Sequence, residues 1–383
     1  MFVDFIQNGQ GGGDVGGTLA DCRFDAGLLR PFIDKSGKKC VMVNSGDSEY
    51  DEKTNTHNPI ANKVQVSDLV GSNLHLPVHN ATLSLRKDQW VQMDQAVLGA
   101  ARQRLRAWTD LASANTFGGF NGMGKLMLES ESISDPGEAI VDMDGLSEGR
   151  SDEPQYKLNG LPLPITHSDF FFSSRKIAIG RSGGGTPLDT SMAESAGRRV
   201  AEAIEKTVIG VQAGISYGAA AEYGGTAPQV YGYTNHPDRT VKTNLTAPTN
   251  SNGTTVVGDV LAMRELLYAA GFYGPFMLYV STGYDQHLDN DLKSEASITT
   301  RQRLNEIDGI NGVKRLDYLT GNVMLLVQMT SDVARAVNGM NMTTVQWETK
   351  GGMQVNFKVM GIMVPQIRSD FSGNCGVCHG TTS

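Results

Sequence analysis

The chain has 383 residues, enough for one large domain or two ordinary ones around a sizeable core. Its formal net charge is -8, and Lys and Arg are scattered with no block of like charge, which argues against a nucleic-acid arm or a basic membrane patch. No stretch approaches the roughly 18 apolar residues of a membrane span, and MFVDFIQNGQGGGDVGG lacks the basic start and apolar run of an export signal, so a soluble, unexported protein with no membrane partner is expected.

Residues 1–83 are rich in Gly, Asn, Asp and Ser, and the apolar positions Val64, Val66, Leu74, Leu76 and Val78 alternate only in short bursts. Such a segment cannot make its own core and is expected to be an extended arm with short strands, ordered by lying on something else. In LRKDQWVQMDQAVLGAARQRLRAWTDLA, the residues Trp90, Met93, Val97, Ala101, Leu105 and Trp108 recur every three or four positions. This predicts one amphipathic helix whose basic opposite face includes Arg102, Arg104 and Arg106. From about Ser130 to Gly160 the chain becomes strongly acidic and nearly loses its apolar period. That stretch exceeds the about 15 residues of an ordinary connection, and weak alternation at Ala139, Val141 and Met143 predicts a two-stranded hairpin projecting from the core.

TPLDTSMAESAGRRVAEAIEKTVIG predicts a long rigid helix, with Thr186 as N-cap, Pro187 in the first helical position and Asp189 in the first turn. Leu188, Met192, Ala196, Val200, Ile204 and Val208 form its stripe, with Glu194–Arg198 and Glu202–Lys206 as i,i+4 pairs outside. VVGDVLAMRELLYAAG reads as a helix closed by Gly271, and FMLYVST and VMLLVQM as buried strands. TVQWETKGGMQVNFKVMGIMV alternates on both sides of Gly351-Gly352, which predicts a hairpin. The fold class is therefore α+β, without the regular βαβ rhythm of a Rossmann or barrel enzyme.

Four cysteines, Cys22, Cys40, Cys375 and Cys378, are too few and too uneven for a disulfide framework and suit a reducing compartment. CGVCHG, from Cys375 to Gly380, spells a c-type haem attachment run, yet it stands in a Gly, Ser and Thr rich segment with no helices to wrap a macrocycle. A tetrahedral zinc set from Cys375, Cys378 and His379 needs Cys22 or Cys40 to join it in space. The expectation is a loose tail with two idle thiols and no metal. GFNGMGKL, Gly119 to Leu126, follows the phosphate-loop spelling but ends in Leu where a hydroxyl must meet magnesium. GISYG, Gly214 to Gly218, spells a hydrolase elbow but leaves a helix where a strand is required. GRSGGGTP, Gly180 to Pro187, could offer N–H groups to an anion, but a flexible hinge before a capped helix is the expected purpose. The histidines never pair at metal spacing on a helix, since Pro77 separates His75 from His79. No catalytic, cofactor-binding or metal-ligating residue is expected, and no enzyme.

The order of LRKDQWVQMDQAVLGAARQRLRAW, an acidic projecting loop, TPLDTSMAESAGRRVAEAIEKTVIG, GFYGPFMLYVSTGYDQHLDND and VNFKVMGIMVPQIRSDF resembles encapsulin shell proteins and the tailed-phage capsid proteins nearest to them. GPFMLYVS, with Tyr284 and Leu288 after it, is the most specific stretch, and the resemblance runs from about Leu85 to Phe371. It implies the Hong Kong 97-like capsid fold: an N-terminal arm (1–83), a peripheral domain (84–129 and 166–228) with the long helix as spine, and an E-loop (130–165) reaching over a neighbour. An axial domain (229–342), a returning hairpin of the peripheral domain (343–372) and a flexible tail (373–383) complete it. The implied function is a major capsid protein that self-assembles into homo-pentamers and homo-hexamers of an icosahedral phage head. That head encloses double-stranded DNA without sequence-specific binding, and portal, scaffolding and cement or decoration proteins are the implied partners. Synthesis in the host bacterial cytoplasm and a final place in the virion capsid follow. Within the E-loop, Glu138, Asp142, Asp144 and Lys157 are expected to make inter-subunit contacts. An encapsulin-like nanocompartment shell is the alternative, but encapsulins begin near the first helix, and here about 84 residues precede it, as in phage arms. An arm and a hairpin that bury little at home must gain their stability between subunits, as obligate interfaces of about 2,000–5,000 Å² do. Heterologous contacts between identical chains then close into rings.

Overall fold

The computed structural model describes residues 87–382 except 103, 135–140, 145–152, 182–189, 213–214, 224–225 and 293–297. For 87–89, 178–181 and three strands between residues 32 and 65, the backbone alone is described. Those strands, β1 (Phe32–Ile33), β2 (Lys39–Asp51) and β3 (Thr56–Gln65), form an antiparallel sheet in the order β1-β2-β3. β2 and β3 exceed the short strands that the arm sequence suggests.

The stripe that predicts one helix is divided between α1 (Lys87–Arg102) and α2 (Ala107–Ala114). All six stripe residues, including Leu105 and Trp108 beyond the break, are buried, because both helices face the same core. The break has a physical cause in a distant residue. The Glu205 carboxylate accepts hydrogen bonds from the backbone N–H groups of Arg106 (3.2 Å), Ala107 (2.7 Å) and Trp108 (3.2 Å), so it caps α2 from another helix.

After β4 (Thr116–Phe117), β5 (Met127–Ile133) pairs antiparallel with β6 (Tyr156–Pro162), and β7 (Thr166–Ser173) runs into α3 (Ser174–Arg181). The long helix is α4 (Ser191–Ile209), closed by Gly210 in the left-handed region. Ala196, Val200, Ile204 and Val208 are buried as the period requires, but Met192 is half exposed. Leu188 and the expected N-terminal residues Thr186, Pro187 and Asp189 lie outside the described residues. The residues of the expected α4 pairs have other contacts: Glu202 meets Arg104 (3.8 Å) and Lys206 lies over the Tyr318 ring, both from distant parts of the chain, while Glu194 accepts from the Thr190 hydroxyl one turn earlier. α4 approaches α1 so closely that a Cβ on Gly197 would stand 2.9 Å from the Val97 carbonyl oxygen.

Next come β8 (Thr240–Lys242), α5 (Gly253–Ala269), β9 (Phe276–Val280), α6 (Thr282–Leu288), α7 (Thr300–Asn305), β10 (Ile310–Arg315) and β11 (Val323–Gln328). β12 (Ala334–Thr349), β13 (Gln354–Ile367) and β14 (Val377–Thr381) complete the chain. One sheet has the order β10-β9-β11-β14-β8, another the order β4-β12-β13-β7.

The five-stranded sheet is covered on both faces, which explains its unbroken apolar runs. Leu278, Val280, Met324, Leu326 and Cys378 point into a core with α5, α6 and α7. Tyr279, Leu325, Val327, Cys375 and Val377 point the other way, into the large core of α1, α2, α4 and the four-stranded sheet. Ion pairs join the two regions at the edge, Lys314 with Asp110 (2.5 Å) and Arg106 with Asp317 (3.9 Å), while Arg315 with Asp285 (3.4 Å) and Arg301 with Asp285 (2.7 Å) and Asp289 (2.6 Å) tie β10, α6 and α7 together.

Two expected boundaries move. The returning hairpin begins at Ala334, inside the segment expected to be axial. The segment 373–383 is no flexible tail: β14 lies inside the five-stranded sheet, antiparallel to β11 and parallel to β8. Its glycines serve close packing, since a Cβ on Gly380 would stand 2.7 Å from Leu245 Cδ1 and 3.0 Å from the Met263 sulfur.

Candidate assembly surfaces

The β5–β6 ladder runs in register from Met127 opposite Pro162 to Ile133 opposite Tyr156. Its root is held by a small core in which Leu161, Leu163, Val230, Val337, Ile362 and Val364 are buried. At its outer end Ile133 and Tyr156 are exposed, and polar ties brace the ladder. Tyr223 donates to Glu129 Oε1 at 2.6 Å, and Asn159 Nδ2 to Ser132 Oγ at 2.6 Å. Hydrogen bonding to Glu129 pushes the Tyr223 phenol up to about 12, so it stays a donor at neutral pH.

Beyond the ladder, Val141 is 96% and Met143 97% exposed, and Asp142 and Asp144 are exposed between and after them. Val141 and Met143 therefore bury almost none of their apolar surface on their own chain. Of the residues expected to meet other subunits, Asp142 and Asp144 stand in this outer loop, Lys157 is exposed on β6 opposite Ser132, and Glu138 lies outside the described residues. Lys157 also lines a cleft of about 390 Å³ at the hairpin root, shared with Tyr231, His236, Asp238 and Arg368. Burial lowers the His236 pKa, and its Nδ1 accepts from the Asp238 backbone N–H at 3.3 Å, which describes a neutral structural imidazole.

The chemistry-like motifs are absorbed by packing. Cys375, two residues before β14, and Cys378, within it, enter different cores. They cannot share an ion, and burial pushes both thiols up to about 12. Arg239 donates to His379 Nδ1 at 3.4 Å, and burial together with that guanidinium lowers the imidazole's pKa. Among the described residues no three His, Cys, Asp or Glu side chains group as a metal site. Cys22, His75 and His79 lie outside the described residues, as do residues 182–187 of GRSGGGTP.

In GFNGMGKL the backbone of Gly122 presses on that of Gly339, where a Cβ would stand 2.7 Å away, so this turn is filled by β12. Ser216 of GISYG bridges Gln229 in extended backbone, which is not a strand-to-helix elbow. No described helix is long and apolar enough to cross a membrane.

Known structures share this arrangement. A virus-like particle protein from Pyrococcus furiosus superposes with a TM-score of 0.52 at 16% identity, covering 76% of this chain and 99% of that one. The capsid of Myoviridae phage XM1 gives a TM-score of 0.52 at 9% identity over 70% and 90% of the two chains. A chain of Mycobacterium phage Bobi gives 0.50 at 12% identity over 72% and 89%. These likenesses carry the fold, which is the Hong Kong 97-like capsid fold. A comparison with curated protein sequences gives no match. A family model described as "Family of unknown function (DUF6260)" matches residues 80–380, from just before α1 to within β14, and the chain belongs to that family.

Proposed function

We propose that the protein is a major capsid protein whose copies form the pentamers and hexamers of an icosahedral phage head around double-stranded DNA. One observation carries this reading: a Hong Kong 97-like fold from which a hairpin projects with Val141 and Met143 almost wholly exposed. Leaving two large apolar side chains in water forgoes about 1.5–3 kcal/mol each, which contact with another copy recovers. Asp142, Asp144 and Lys157, with Glu138, are the residues proposed to meet neighbouring subunits. The peripheral and axial roles assigned by resemblance fit the large core and the five-stranded sheet respectively. Portal, scaffolding and cement or decoration proteins are the partners that such a head requires. Synthesis in a bacterial cytoplasm and a final place in the virion belong to the same proposal.

An encapsulin-like compartment shell is the second reading, supported by the 99% coverage of the Pyrococcus particle protein. The two readings part on contents. Electron microscopy of the protein expressed alone is expected to show hollow icosahedral particles, and a chain that stays monomeric at high concentration overturns both. Particles from the native source are expected to hold nuclease-protected double-stranded DNA; an enclosed enzyme instead of DNA decides for the compartment.

A further inference from the structure

We propose that Asn311 is a self-modifying site, where the Gly312 backbone nitrogen attacks the side-chain amide and water then opens the resulting succinimide to aspartate or isoaspartate at the edge of the five-stranded sheet. This chemistry is separate from the assembly reading and needs no partner.

An Asn followed by Gly hinders this reaction least, because no Cβ shields the attacking nitrogen and the backbone can turn to meet the side chain. A bond forms between Gly312 N and Asn311 Cγ, the Cγ–Nδ2 bond breaks, and Nδ2 leaves as ammonia with the proton that Gly312 loses. Water then splits one of the imide C–N bonds, its hydroxyl going to carbon and its proton to nitrogen. Splitting the bond to Cγ leaves aspartate; splitting the bond to the main-chain carbonyl leaves isoaspartate, whose backbone is longer by one carbon. Nothing is oxidised or reduced.

The chain holds six such pairs, beginning at Asn8, Asn121, Asn159, Asn252, Asn311 and Asn338. Asn8 lies outside the described residues. Four of the others are held by their surroundings. Asn121 Oδ1 accepts from the Met123 N–H at 3.1 Å, and Gly122 is pressed onto Gly339. Asn159 Nδ2 donates to Ser132 Oγ within the β5–β6 ladder, and Gly160 is walled in by Met127, Pro228 and Tyr223. Asn252 is tied at both atoms of its amide, Oδ1 to the Thr249 N–H (2.9 Å) and Nδ2 to the Ala247 carbonyl (2.7 Å), with Gly253 buried against Thr300. Asn338 Nδ2 donates to Asn341 Oδ1 at 2.7 Å, and Gly339 meets Gly122 and Ile362.

Asn311 differs in each respect. β10 is an edge strand, and its register with β9 slips between Ile310 and Gly312, so Asn311 is the extra residue of a bulge, where the ladder is locally disrupted. Asn311 is exposed, and its side chain has no hydrogen-bond partner among the described residues. A Cβ on Gly312 would meet nothing nearer than the Met277 sulfur at 3.5 Å, an ordinary contact, so ring closure has room. The effect extends beyond the site. Either product adds a carboxylate to the sheet edge, and isoaspartate also shifts the rest of β10 along β9 by one backbone atom. That stretch carries Lys314 and Arg315, the partners of Asp110 and Asp285.

Peptide mapping of the full folded chain, aged at mildly alkaline pH, tests this. The Asn311 peptide is expected to exchange its amide nitrogen for oxygen, read by mass, and to accept methyl label from an isoaspartyl methyltransferase. Both changes are expected to run about tenfold faster than in the peptides of Asn121, Asn159, Asn252 and Asn338. In urea the five rates are expected to converge, since the fold and not the Asn-Gly pair sets the difference. Gly312→Ala, for whose Cβ there is room, is expected to slow conversion of the folded chain about tenfold. An Asn311 peptide that ages no faster than the other four in the folded chain overturns the proposal, and so does conversion that Gly312→Ala leaves unchanged. A rate ratio that persists in urea overturns the role given to the bulge, because local sequence alone then accounts for it.

Discussion

Glu205 brings a carboxylate into the joint between α1, α2 and α4, and its three backbone donors offset only part of the lost hydration. It is 2% exposed, and burial pushes its pKa from the ordinary 4.5 to about 7 against the lowering effect of those donors. Asp110 raises it further, while Tyr233 and Tyr279 stack nearby with phenols held far above their usual range. Tyr279 donates to Asp110 Oδ2 at 3.1 Å, and Lys314 holds the other oxygen. The sign follows from linkage: a folded pKa above the unfolded one means that the folded state binds the proton more tightly. The contribution is then complete below about 4.5 and disappears as pH rises through about 7. Thermal melts between pH 5 and 8 are therefore expected to show Glu205→Gln gaining on the parent chain as pH rises, by an amount on the order of 3 kcal/mol across the window. An unchanged difference between the two proteins would show that the carboxylate stays ionised throughout.

At the scale of elements, the apolar period exposed most of the architecture and misjudged its ends. α4, α5, β9, β11 and the β12–β13 hairpin stand where the sequence places them, because each buries a stripe or a face that alternation reveals. The break between α1 and α2 was hidden, since its cause is a carboxylate about a hundred positions away. β14 was hidden for a different reason. Val377 and Thr381 in VCHGT have strand preference but flank a Cys-His-Gly run that does not, while buried thiols act as small apolar groups and the glycines permit tight contacts. The sequence expectation that both thiols are idle is thus reversed. Cys375→Ser and Cys378→Ser are each expected to cost about 1–3 kcal/mol in urea unfolding, because each puts a hydroxyl into an apolar core. In the folded protein both thiols should also resist a thiol reagent at pH 8 and react once urea unfolds the chain. Of the projected contact residues, the acidic loop was legible from composition. The tie of Tyr223 to Glu129 was not, because it joins residues 94 positions apart in the chain.

In the molecule as a whole, the large core and the five-stranded sheet make a subunit with extensive internal packing, whereas the N-terminal strands form a sheet of their own and β5–β6 a two-stranded ladder. Removing residues 1–60 deletes β1 and β2 and part of β3, none of which contributes to the four- and five-stranded sheets. The shortened chain is expected to keep its melting temperature within a few degrees while sedimentation shows a reduced yield of closed shells. Shells formed at full yield would remove the arm from the assembly scheme. The position of β14 carries a further consequence. It is the last described element in the chain, yet it lies between β8 and β11, to which it must hydrogen-bond. During synthesis the sheet keeps a gap until about residue 381 has emerged from the ribosome, so a prematurely terminated product leaves the facing edges of β8 and β11 unpaired.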